Sequence, residues 1–474
     1  MLFTSLSFLM LLSATFALYY LPFLARFQVL ILIVASFVFY ASAKPWLLAI
    51  LVLSCAVNAV SSFGIFRSES LAAQRGWAVL GVAVNLGLLV FFKYSRLIFQ
   101  SLGGDVSQVQ GIGGFLLTIP LPIGISFFTF QGISLVIDTF RWKKKGEPIP
   151  FFARTFWRHF YNTTFFKAFF PQLIAGPIVK AHQFLPQIGP KRFSELNWEP
   201  AFRFLVTGYF LKMVIADNLK DQTFWIAPPY FLGYSTINLA GLLFGYSMQI
   251  FADFAGYSLI ALGLAEIFGY RLPQNFRFPY VSRTFSEFWT RWHISLSTWL
   301  REYLYIPLGG NRKGKGRTYF NLFTVMFLGG LWHGAAWSYA VWGTFHGLAL
   351  AAERLLQGNS QEKRSHWALD GLRMVFVFAF VTLAWLLFKL PHFGDVIEYV
   401  KAMGRNTGLP LNKVMMMLIA IYSLPVLLYH AHHLSEGGAL EKRLGEWRFI
   451  GYGVMLFLIA VSAGGSGEFI YFQF

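Results

Sequence analysis

From Thr318 to Ala352 the chain runs about 35 residues without an Asp, Glu, Lys or Arg, and His333 stands near the middle of that run. One bilayer crossing takes about 20 residues. The run is therefore expected to hold two segments, or one segment and a re-entrant turn, with Gly329, Gly330 and Gly334 supplying the bend. Hydrocarbon offers an imidazole no hydrogen bonds, so a ring at that depth should face a protein-lined cavity or a water path. The plainer reading is a histidine that ties two helices together by hydrogen bonds.

Similar charge-free runs recur at residues 2–25, 27–43, 45–66, 77–92, 106–137, 222–252, 414–435 and 449–467, with a shorter one at 374–388. Only 13% of residues are charged, against about 25% in a soluble domain. These features predict an all-α integral membrane protein, a multi-pass bundle of roughly ten to twelve membrane segments. Residues 2–25 lack a basic start and a small-residue cleavage site, and read as a retained helix. The formal net charge of +18 points to loop orientation and to anionic lipid or phosphorylated ligands, and nucleic acid is not an expected partner. Cys55 is the single cysteine and lies in an apolar run, which excludes disulfides and a cysteine-rich metal site.

The chain reads as one membrane domain, with N-terminal helices over 1–140, a motif-bearing core over 141–352 and C-terminal helices over 353–474. Residues 151–170 mix Arg154, Arg158, His159 and Lys167 with aromatics, the pattern of an interfacial helix. Residues 171–177 are apolar but bracketed by Pro171 and Pro177, so they should form an extended or re-entrant piece buried by protein. Residues 201–216 would span if Arg203 and Lys212 snorkelled. No fixed-period repeat is present.

A second constellation covers residues 285–303. Phe285, Phe288, Trp289, Trp292, Leu296, Trp299, Leu300 and Tyr303 recur at helical spacing and predict one amphipathic helix with His293 on the border of its aromatic stripe. A basic loop follows, with Arg312, Lys313, Lys315 and Arg317. It serves as an inner-face topology signal or as a dock for the phosphates of an anionic donor. His430, His432 and His433 read as a snorkelling interfacial patch and not as metal ligands, and no metal site is expected. His346, 13 residues after His333, would lie on another face of one continuous helix. Asp253 and Glu266 are candidates for bridges to Arg271 or Arg277. Hydrolase, zinc-protease and nucleotide-loop motifs are absent from the sequence.

Pro122–Gln131, Phe170–Pro177, Arg291–Ser297, Gly330–Gly334 and Trp342–Gly347, taken in order, resemble the membrane-bound O-acyltransferase family, in particular its AlgI-like polysaccharide O-acetylation branch. The resemblance implies a helical bundle with re-entrant and interfacial helices around a central tunnel. It also implies that His333 matches the essential active-site histidine and that His293 matches a second polar position. Two positions depart from the branch: Leu259 stands where Asp is common, and Glu302 replaces Asp after Arg301.

The function this implies is transfer of an acetyl group from a cytoplasmic thioester, acetyl-CoA, across a bacterial inner membrane. The acceptor side would be a periplasmic acetyltransferase in an exopolysaccharide complex such as that for alginate or cellulose. No bound cofactor is expected. Two other readings of the same residues are a transporter or channel using midplane histidines, and a non-catalytic scaffold.

Overall fold

The computed structural model describes residues 1–42, 44–109, 111–174, 176–357, 367–434, 439–465 and 470, and those residues contain helices and no β-strand. Among the described residues six helices are long and apolar enough to cross a membrane: Pro22–Ala41, Pro45–Arg67, Leu71–Ser101, Thr236–Glu266, Trp367–Lys389 and Lys413–Leu434. Leu6–Tyr20 and Trp447–Ser462 are shorter and equally apolar in kind. The charge-free run at 318–352 forms two more helices, Lys315–His333 and Trp337–Gln357. Their Gly, Thr, Asn, Ser and His content makes them less apolar than an absence of charge alone suggested. The chain is an all-α, multi-pass membrane protein.

Two compact units make up the chain, one from residues 1–202 and 260–273 and the other from 203–259 and 274–474. In the first unit, helices Leu48–Arg67, Leu71–Leu89 and Ile125–Lys145 pack on one another. Asn58 and Asn85 exchange amide hydrogen bonds of 3.2 and 2.8 Å between two of them, a polar tie of the kind that replaces hydrophobic drive inside lipid. The helix Phe156–Ala168 occupies the segment expected at the interface. Trp157 does point outward, 76% exposed. His159 and Lys167, however, turn inward: His159 Nε2 lies 2.7 Å from Ser62 Oγ, and Lys167 Nζ donates to Ser54 Oγ at 2.5 Å.

The segment after it is buried, as irregular backbone at membrane depth must be. Gln172 Nε2 folds back onto the Phe166 carbonyl, and the Phe170 amide donates to Ser36 Oγ. Gly124 opens the Ile125–Lys145 helix at φ +75°, and a Cβ there would lie 2.5 Å from the Leu173 carbonyl. Two separate sequence motifs thus meet backbone to backbone, which only glycine allows.

The second unit holds the hairpin of Lys315–His333 and Trp337–Gln357, the helices Trp367–Lys389 and Lys413–Leu434, and the start of the long Thr236–Glu266 helix. Lys212 does not snorkel as its position in the 201–216 run suggested. It sits in a wide π-helical turn, Phe210–Ala216, with Asp217 at 2.7 Å and Asp253 at 2.8 Å, all of them buried. Asp253 therefore pairs with this lysine and not with an arginine, because two carboxylates on neighbouring elements hold the ammonium more firmly than a distant headgroup region would. Glu266, in the first unit, does approach Arg271, at 4.0 Å. Lys212→Met is expected to lower stability by about 3–5 kcal/mol by leaving two buried carboxylates uncompensated. Thermal unfolding of the detergent-purified protein measures this, and an unchanged midpoint would contradict it.

Candidate active site

The aromatic stripe from Phe285 to Tyr303 is not one helix. It divides into Phe285–Arg291 and Ile294–Leu300, the latter running on into a π-helical turn, Arg301–Tyr305. His293 sits at the division with φ +42°, in the left-handed region. A side chain other than glycine held there costs on the order of 1–3 kcal/mol and tends to mark a functional site.

The break has a packing cause. Adjacent residues on a helix diverge by only about 100°. Here Trp292 and His293 are both fully buried but against different partners. Trp292 packs on Phe276 and Trp385, each at a ring separation of 5.0 Å, and stacks on Phe288 at 5.7 Å. His293 turns to Phe254, edge to face at 4.6 Å, and to Trp332 at 5.8 Å.

His333 is the last residue of the Lys315–His333 helix, and the chain bends at Gly334, while Gly329 and Gly330, expected to share in the bend, lie inside the helix. Gly334 is extended, so its backbone suits any residue. Its requirement is space, since a Cβ would lie 2.2 Å from the Tyr339 ring. Gly330 and Gly343 let the two helices touch backbone to backbone, for a Cβ on Gly330 would fall 2.2 Å from the Tyr339 carbonyl and one on Gly343 would fall 2.1 Å from that of Met326.

This close hairpin seats the His333 ring, 3% exposed, among Trp332 and Trp342, each at 5.2 Å, and Phe388 at 5.4 Å. The His293 and His333 rings lie 6.0 Å apart, inclined by 53°. Forty residues of sequence and one break between helices separate the pair, yet both rings pack into one buried aromatic cluster of the second unit.

The bend also brings in His346, which one continuous helix would have carried away. Trp342 lies between it and His333, 4.9 Å from the His346 ring. Phe288, Trp289 and Phe380 close its other sides. Of the surface patch expected of His430, His432 and His433, His430 turns inward while His432 and His433 stay partly exposed. His430 is buried against Tyr280 with Nδ1 on the Val426 carbonyl at 2.8 Å, and His433 stacks on Phe278 and accepts from Arg291. They pack because the Lys413–Leu434 helix lies along the segment Pro279–Val281. Phe254 and Phe388 are wall residues that the sequence offered no means of choosing among 54 phenylalanines, whereas Trp342 opens one of the segments that carry the family resemblance.

Arg312, Lys313, Lys315 and Arg317 are exposed. They surround the start of the helix that ends in His333. At about 1.5 Å per residue, its 19 residues put roughly 28 Å between loop and ring, close to the thickness of a hydrocarbon core.

The model of the membrane-bound O-acyltransferase family matches residues 158–390, a span that includes both His293 and His333. A protein of Pseudomonas putida named probable alginate O-acetylase AlgI is 38% identical over 77% of this chain and 72% of its own length. One of the same name from Azotobacter vinelandii is 37% identical over 90% and 83%. A peptidoglycan O-acetyltransferase of Helicobacter pylori is 34% identical over 81% and 75%. On this similarity, and on a fold of the kind described, the chain belongs to the membrane-bound O-acyltransferase family and is a multi-pass membrane acyltransferase.

Proposed function

We propose that the protein moves an acetyl group from a cytoplasmic thioester, acetyl-CoA, to a hydroxyl acceptor on the outer side of a bacterial inner membrane. It does so through a tunnel, for O-acetylation of an exopolysaccharide such as alginate or cellulose. The observation that carries this reading is the buried pair of rings, His293 and His333, 6.0 Å apart in one aromatic cluster. Relatives named for O-acetylation of alginate and of peptidoglycan support the acetyl group and the polysaccharide. The immediate acceptor is a periplasmic acetyltransferase in the synthesis complex.

The acceptor hydroxyl attacks the thioester carbonyl as His333 takes its proton. A C–O bond forms, the C–S bond breaks, and the imidazolium returns the proton to the leaving thiolate. Neutral imidazole suits this exchange because its ordinary pKa is about 6.5. His293 orients the donor and steadies the charge that develops on the carbonyl oxygen. Arg312, Lys313, Lys315 and Arg317 receive the donor's phosphates at the inner face.

Purified protein in proteoliposomes, given radiolabelled acetyl-CoA and a hydroxyl acceptor, tests the reading. Protein-dependent release of free thiol with transfer of label is expected. A transporter or scaffold would give no thioester cleavage, and that result would overturn the proposal. His293→Ala should lower the rate by about 100-fold to 1,000-fold with unchanged elution on size exclusion, and a rate equal to wild type would remove the role given to His293.

A further inference from the structure

We infer that Asn275 is a positioning residue for the active site, holding His293 in its left-handed conformation from outside the helix that carries it. This rests on the reading of His293 and His333 as the acyl-transfer pair.

A helix that starts afresh at Ile294 leaves its first amides without intrahelical partners. Asn275 meets them. Its carbonyl accepts from the Ile294 amide at 2.9 Å, and its side-chain Oδ1 accepts from the Ser295 hydroxyl at 2.6 Å and the Ser295 amide at 3.4 Å. Two residues further on, the Arg277 amide donates to the Arg291 carbonyl at 2.9 Å, at the end of the preceding helix. The extended segment around Asn275 and Arg277 thus grips both sides of the break, and His293 is trapped between the two grips.

The remaining side-chain group reaches the opposite wall. Asn275 Nδ2 donates to Ser258 Oγ at 3.1 Å. Ser258 lies one turn beyond Phe254 on the Thr236–Glu266 helix, and Phe254 is the ring set edge to face on His293. One buried side chain, 2% exposed, therefore ties the turn that bears His293 to the helix that walls it. Asparagine is suited to this because it carries an acceptor and a donor on one short stem. Aspartate lacks the donor, and serine lacks the planar spacing.

The same helix is fixed a turn earlier, where Asp253 meets Lys212, and at Gly256, where a Cβ would lie 2.9 Å from the Gly208 carbonyl. Asn275 accordingly bonds to an element that cannot easily yield, and its bond transmits a fixed position and not a compliant one.

Asn275→Ala, made in the full chain and assayed in proteoliposomes with acetyl-CoA, should lower kcat by about 100-fold, the cost of misplacing a reacting group by about 1 Å. KM for acetyl-CoA should stay unchanged, because the donor's phosphates bind elsewhere. Ser258→Ala should cause a smaller loss in the same direction. In a His293→Ala background, Asn275→Ala should have little further effect, since its action passes through the missing ring. Hydrogen exchange of the Ser295 amide should speed up in Asn275→Ala, a readout that needs no turnover, whereas the Ile294 amide keeps its bond to the backbone carbonyl of residue 275.

Wild-type kcat in Asn275→Ala, or an equal fold loss in both backgrounds, would overturn the inference. If the wild-type protein itself cleaves no thioester, the proposed function fails. Unchanged exchange at the Ser295 amide would then refute the positioning role on its own.

Discussion

His333→Ala is expected to lower acyl transfer by about 100-fold to 10,000-fold, the range that a positioned general base supplies. The ring stands at the end of a helix whose direction is set by the Gly330–Gly343 contact, and Trp332, Trp342 and Phe388 wall it at 5.2 to 5.4 Å. No side chain among those walls can accept a proton at neutral pH in its place. Of the two nearby imidazoles, His293 is 6.0 Å away and faces Phe254, and His346 lies behind Trp342. Size exclusion and thermal unfolding separate loss of chemistry from loss of fold. His333→Gln, which keeps most of the volume, guards against collapse of the aromatic cluster around the ring. A folded His333→Ala protein that transfers acetyl at the wild-type rate would remove the base assignment.

The second large effect lies away from the chemistry. Gly330→Ala places a Cβ where the Tyr339 carbonyl is 2.2 Å away and two backbone atoms of Gly343 are 3.0 Å away. Backbone atoms have no rotamer to move to, so the two hairpin helices must separate. Overpacking of this kind costs about 1–3 kcal/mol. The functional loss is expected to be larger in proportion, because His333 is three residues along one helix and Trp342 directly precedes Gly343 on the other. A shift of about 1 Å between them would lower the rate about 100-fold. Gly371→Ala is the control, as a Cβ there meets nothing within 4 Å, and alanine is the better helix former. Measured side by side, Gly330→Ala should show a lower midpoint and a much lower rate, and Gly371→Ala neither. Equal behaviour of the two would show that the close hairpin does not set the site.

The bend in the 318–352 run was legible because glycines mark it locally and because the run is too long for one crossing. The break at His293 was not. Phe285, Phe288, Trp292, Leu296 and Trp299 keep helical spacing straight through it, and neither glycine nor proline announces it. Its cause is long-range: Asn275 and Arg277 grip it from another segment, and Trp292 and His293 are drawn to different neighbours. The same limit applies to Lys212, whose inward turn depends on Asp253, 41 residues away. The charge-free run and the family resemblance singled out His333, and the resemblance alone singled out His293, among ten histidines; tertiary packing puts the two side by side.

A density map of the protein with a non-hydrolysable acetyl-CoA analogue is the most direct test of the pair His293 and His333 as the site of acyl transfer. The expected result places the analogue's carbonyl between the two rings, with the nucleotide phosphates at the loop holding Arg312 and Arg317. A carbonyl resting elsewhere, with both rings still enclosed by Phe254, Trp332, Trp342 and Phe388, would contradict it.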